Sequence, residues 1–113
     1  MIQTAKLPTS NIQFRNLDHS EAIEKRIREH ISKLNQHFGE INSCHVVVEM
    51  HHRHHQHGNH FHVLVNVNVS GHELLTYNQP GKNKFYSDVY VAIRDAFDAM
   101  DRKLIALAQR QHS

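Results

Sequence analysis

From His60 to Val69 the chain reads HFHVLVNVNV. Phe61, Val63, Val65, Val67 and Val69 recur at every second position, with His60, His62, Leu64, Asn66 and Asn68 between them. A period of two places these sets on opposite faces of a strand. The valine face must be covered, while the other is polar enough to meet water. The strand therefore belongs to an antiparallel sheet packed on one side only.

Two amphipathic segments can supply the cover. Ile23, Ile27, Ile31, Leu34 and Phe38 fall at helical spacing. Asp18 or Ser20 can cap this helix, Glu21 and Glu24 suit its first turn, and Gly39 stops it. Val89, Ile93, Phe97, Met100, Leu104 and Leu107 line a second helix starting at Ser87-Asp88. NIQFRNL alternates Ile12 and Phe14 as a first strand. INSCHVVVEM is the second, with Cys44, Val46, Val48 and Met50 on one face and His45, Val47 and Glu49 on the other. GHELLTYN makes a short fourth strand after a Ser70-Gly71 turn, and QPGKNKFYS is a loop. The order is β-α-β-β-β-α. It predicts an α+β two-layer sandwich, a four-stranded mixed sheet with both helices packed on one face. Strands one and two should be parallel through a right-handed crossover, and the rest antiparallel. Residues 1–10 read as a flexible lead-in and residues 11–112 as a single domain.

Composition bounds the class. The 113 residues are one domain's length, and 39% hydrophobic with 21% charged residues fits a soluble globular chain. No apolar run approaches the roughly 20 residues that cross a bilayer. MIQTAKLPTS carries no hydrophobic leader, so a cytoplasmic location is expected. The single Cys44 excludes a disulfide framework and a cysteine zinc finger, and reads as a small core residue. The formal net charge of +2 counts all 13 histidines as neutral. At pH 6, with an unperturbed imidazole pKa near 6.5, about three quarters of them would be protonated. Polyanions are the partners this favours.

No G-x-S-x-G, P-loop or H-E-x-x-H occurs, and Asp95, Asp98 and Asp101 fall on a polar helix face where hydration accounts for them. No enzyme is expected. The densest chemistry is HHRHHQHGNHFH, residues 51–62, with seven histidines. Gly58-Asn59 makes it a hairpin tip between strands two and three, and its interruption by Arg53 and Gln56 is unlike a purification tag. His60 and His62 share a strand face, and His45 or His51 has the same parity on the neighbouring strand. Zinc held by His45, His51, His60 and His62 is thus an alternative to the expectation of no cofactor, although no carboxylate or thiolate completes the set. On the first helix Arg26, His30, Lys33 and His37 fall on one flank of the apolar stripe. On the second, Lys103 and Arg110 share a flank with Ala92, Ala96 and Ala99, small residues that would let a polyanion approach closely. A merely solvated helix face is the bland alternative.

The element order, the basic flanks and two segments, SEAIEKRIREHISKLNQHFGEINSCHVVVE and DVYVAIRDAFDAMDRKL, together resemble a known family over about residues 11–110. It is the ribosome hibernation promoting factor family, also called ribosome-associated inhibitor A or the sigma-54 modulation protein family. The first segment is similar to that family's helix, its KL…F..I exit and the following V-V-V strand; the second is similar to its last helix. The resemblance implies a stress or stationary-phase factor that binds the small ribosomal subunit, through 16S-type rRNA near the decoding site, and inhibits translation by steric occlusion. It implies rRNA contacts from Arg26, Lys33, Arg94, Arg102, Lys103 and Arg110 on the helices and from Lys82 and Lys84 in the loop before the last helix. Arg53 at the histidine tip is a further candidate. The chain matches the short form, without the C-terminal dimerising domain, and is expected to be monomeric off the ribosome, with neither DNA nor a membrane as partner. Two segments depart from the family: RKLIALAQRQHS is sparser in lysine than its usual last turn, and NQPGKNK is longer than its usual loop. A metal- or pH-responsive binding module on the same fold is the alternative reading.

Overall fold

The computed structural model describes residues 8–52, 59–69, 71–77 and 87–111. The elements are β1 (Thr9–Arg15), α1 (Glu21–Phe38), β2 (Ile41–His52), β3 (Asn59–Val69), β4 (His72–Tyr77) and α2 (Val89–Gln111). They form one four-stranded sheet in the order β1-β2-β3-β4. β1 runs parallel to β2, and the β2–β3 and β3–β4 pairs are antiparallel. This is the α+β sandwich with a mixed sheet that the alternating pattern predicts.

Local chemistry sets the ends of α1. Ser20 is extended at φ −126°, and its hydroxyl accepts a hydrogen bond from the Ile23 N–H at 3.2 Å, satisfying one of the helix's orphan donors. Of the two capping candidates, Ser20 takes the role. Gly39 ends the helix at φ +72°, where an L side chain would be strained, and its N–H donates to the Asn35 carbonyl at 2.7 Å. Asp88 does for α2 what Ser20 does for α1: its carboxylate accepts from the Tyr90 N–H at 2.9 Å.

Pairing register carries the valine pattern into the core. Val46 lies opposite Val65, Val48 opposite Val63, and Cys44 opposite Val67, all fully or almost fully buried. Ile23, Ile27, Ile31 and Leu34 of α1 meet them, together with Ile93, Phe97, Met100 and Leu104 of α2, in one hydrophobic cluster. Side chains of α1 and α2 also touch each other, as described below, so both helices lie on the same side of the sheet.

Two details differ from expectation. β1 begins at Thr9 rather than Asn11, because the parallel ladder extends through Thr9 opposite Ser43 and Ser10 opposite Cys44. Proline cannot donate to such a ladder, and buried Pro8 sits just before the first paired residue. The remainder of the expected lead-in, residues 1–7, lies outside the described residues. The second detail is Val47, which is buried although it faces away from the helices. It is covered from the sides, as part of a depression on the open sheet face lined by Arg15, His45, Glu49, His62 and Leu64.

Candidate functional site

Helices α1 and α2 run side by side in the same direction, and a file of contacts joins them. The Arg26 guanidinium carbon lies 5.0 Å from the centroid of the Tyr90 ring. One turn on, the His30 ring stacks on Phe97 with centroids 5.1 Å apart and planes 16° from parallel. Two turns further, His37 Nδ1 is 3.1 Å from Asp101 Oδ1. Residue numbers rise together on both helices, so the flank of α1 carrying Arg26, His30, Lys33 and His37 borders α2, with His30 half-buried and the other three exposed along the seam.

The seam between the helices has two electrically different halves. Its upper half is a cleft of about 360 Å³ lined by Arg26, Glu29, His30, Lys33, Tyr90, Val91 and Arg94. Three permanent cations converge there. The lower half, about 280 Å³, is lined by His30, Lys33, Leu34, His37, Phe97, Asp98 and Asp101. Carboxylates oppose anions at that end. Arg26 and Arg94 each contact a neighbouring carboxylate, Glu29 at 3.5 Å and Asp95 at 3.4 Å. Arg26, Glu29 and Arg94 are exposed and Asp95 partly so, and such pairs exchange cheaply for a stronger anion.

His30 sits at the junction of the two halves. Burial and then the charges of Lys33 and Arg26 hold its pKa below the ordinary imidazole value, against the weaker opposing pull of Asp98 and Glu29. The free cleft therefore favours a neutral imidazole between cations.

The remaining basic candidates lie elsewhere. Lys103 Nζ donates to the Leu75 main-chain carbonyl of β4, the strand at the sheet's edge. Its ammonium thus covers a backbone acceptor. Ala92 and Ala96, expected to open this flank to a polyanion, are buried instead. Their smallness lets α2 lie close on the sheet, where Thr76 Oγ1 donates to the Ala96 carbonyl at 3.2 Å. Arg102 and Arg110 are exposed; Arg102 falls on the outer face of α2, and Arg110 lies two turns beyond Lys103. Arg53, Lys82 and Lys84 are outside the described residues, as are residues 53–58 of the histidine run. Of the six described residues among the cations named from sequence, Arg26, Lys33 and Arg94 line one cleft, and Arg102, Lys103 and Arg110 lie outside it.

The histidines named as metal ligands separate too. His51 lies opposite His60, and His62 opposite Glu49, at one end of the β2–β3 pair. The His51 and His62 rings meet edge to face at 4.5 Å, and His51 Nε2 is 3.2 Å from Glu49 Oε1. His45 lies opposite Asn66, six residues along the strand from His51, or about 20 Å. Among the described residues no group of three or more His, Cys, Asp or Glu is arranged to hold a metal ion.

Tyr90, Phe97, Asp98 and Asp101 were missed as parts of the site. The spacing of Tyr90, Asp98 and Asp101 beside the buried stripe, to which Phe97 itself belongs, was the available signal. No helix among the described residues is long and apolar enough to cross a membrane.

Comparisons with known proteins agree with this architecture. The Thermus thermophilus Protein Y N-terminal domain superposes with a TM-score of 0.67 at 16% identity, covering 85% of this chain and 93% of that one. A ribosomal subunit interface protein from Coxiella burnetii gives a TM-score of 0.73 at 13% identity, covering 89% of this chain and 98% of that one. At these identities the likeness is one of fold. No curated protein matches the sequence. The profile of the family described as sigma 54 modulation protein / S30EA ribosomal protein matches residues 10–112. On that match, which spans almost the whole chain, the protein belongs to the sigma 54 modulation protein / S30EA ribosomal protein family.

Proposed function

We propose that this protein binds the small ribosomal subunit near the decoding site and silences translation by occupying space that tRNA and mRNA require. As a family member it is a ribosome-associated factor and not an enzyme. The observation that carries the finer reading is the convergence of Arg26, Lys33 and Arg94 on one cleft between the helices. A fixed cluster of cations on a rigid helical pair suits rRNA phosphates, whose attraction is largely independent of sequence. Asp98 and Asp101 close the other end of the seam to a polyanion, so the backbone of the RNA crosses the upper half. Arg102 and Arg110, both exposed on α2 outside the cleft, are proposed to meet further phosphates.

Co-sedimentation with purified small subunits across a salt series tests this. Each lost phosphate contact lowers the slope of log affinity against log salt by about 0.7 to 0.9. The triple variant Arg26→Gln, Lys33→Gln, Arg94→Gln should bind more weakly, with a slope flatter by about 2 to 3. Wild-type affinity and slope in that variant would remove the cleft from the interface.

A second reading, a metal- or pH-responsive module, is favoured by the His51–His62 contact beside Glu49. Abolition of ribosome binding by a chelator alone at neutral pH would favour it.

A further inference from the structure

His30 and Lys33 line both halves of the interhelical seam, and of the two only the imidazole changes charge near neutral pH. Its ring stacks on Phe97, which orients it within the seam. On α1, Arg26 stands one turn before it and Lys33 one turn after it, with Glu29 adjacent. On α2, Tyr90 and Arg94 line the upper half with it and Asp98 and Asp101 the lower, where His37 of α1 also lies. In the upper half three cations face one carboxylate, Glu29, which contacts Arg26.

We propose that His30 is a proton-linked ligand of the bound anion: a phosphate seated among Arg26, Lys33 and Arg94 draws a proton onto the imidazole, and the protonated ring then holds the phosphate. This inference rests on the cleft being the rRNA contact. Its logic is a reversal of local sign. In the free cleft a fourth cation is opposed first by burial and then by Lys33 and Arg26. A phosphodiester brings a full negative charge, offsets those cations and adds its own attraction for imidazolium. An imidazole nitrogen gains a proton from solvent, forming an N–H bond as hydronium gives up an O–H and leaves as water; no covalent bond to the phosphate forms. Binding then takes up protons by linkage, and the protein grips idle ribosomes harder as the surroundings acidify.

Two experiments test it separately from the ribosome reading. In the first, the His30 Cε1–H resonance of the full chain is followed against pH by NMR, alone and with inorganic tripolyphosphate. The titration midpoint should rise with the polyanion; an unchanged midpoint overturns the proposal whatever the ribosome data show. In the second, affinity for small subunits is measured from pH 7.5 to 6.0 with chelator present, for wild type, His30→Gln and His30→Phe. The Phe variant keeps an aromatic ring against Phe97 and cannot titrate. Wild-type affinity should rise several-fold as pH falls, and the gap to both variants should widen. Equal pH slopes in wild type and variants overturn the proton link while leaving the binding reading in place. Absence of wild-type ribosome binding at every pH removes the reading beneath it.

Discussion

The Thr76 hydroxyl donates to the Ala96 main-chain carbonyl at 3.2 Å, joining the edge strand β4 to the middle of α2. Thr76 is one of only two buried polar residues among those described, and its contact uses a carbonyl on the buried side of a helix. Replacing it with the near-isosteric Val removes the bond but leaves the volume. The loss should be about 1 kcal/mol, read as a lower urea midpoint with an unchanged m-value. A change in m would mean that β4 had come away from α2.

Core truncation should cost more. Ile27 is fully buried beneath α1 against the valines of β2 and β3. Ile27→Ala removes apolar surface and leaves a cavity between two rigid layers, so about 2 to 5 kcal/mol should be lost in equilibrium denaturation. Ribosome binding at low temperature should survive wherever the variant remains folded.

Cys44 offers a test of burial. Its thiol is 1% exposed, and burial pushes its pKa up to about 12. The thiolate is the reactive form, so iodoacetamide at pH 8 should label the native chain slowly and the urea-unfolded chain readily. The sign for stability follows. A folded pKa above the unfolded value leaves stability intact below about pH 9 and erodes it as pH climbs from 9 toward 12. An alkaline melting series should show that decline, and Cys44→Ala should lessen it.

His30 works in the opposite sense. Its pKa is depressed in the free protein, chiefly by burial. The stability it confers is present above the ordinary imidazole value and falls as pH drops through its own lower one. The melting temperature of wild type should therefore decline between pH 7 and 5 more than that of His30→Gln. A parallel decline in both would place the acid sensitivity at other groups.

Much of this architecture was legible because it depends on patterns that local physics enforces. Val63, Val65, Val67 and Val69 can be buried together only if the strand is regular and covered on one side. Ile23, Ile27, Ile31 and Leu34 can share a stripe only on a helix. Capping at Ser20 and Gly39 follows from backbone chemistry within three or four residues. The site was less legible, because it is made where α1 and α2 meet. Helical spacing correctly grouped Arg26, His30, Lys33 and His37, but it could not say that Tyr90, Arg94, Phe97 and Asp101 would face them. It also misjudged Ala92 and Ala96, whose small side chains serve close packing on β4. Nor could spacing show that the ammonium of Lys103, named as an rRNA contact, is directed to the Leu75 carbonyl. The parity of His45, His51, His60 and His62 was right, yet parity carries no information about distance along a strand.

The unequal strand lengths have a dynamic consequence. β1 ends opposite Glu49, and β4 reaches only as far as Leu64. Past those points, among the described residues, Met50–His52 and Asn59–Phe61 pair only with each other, as a ribbon two strands wide. A two-stranded ribbon is marginal by itself in water. Its amide protons should exchange with deuterium through local opening, while those of Val46, Val48 and Val65 wait for the whole domain to unfold. The sheet thus holds a stability gradient along its length, firm beneath the helices and yielding toward the histidines.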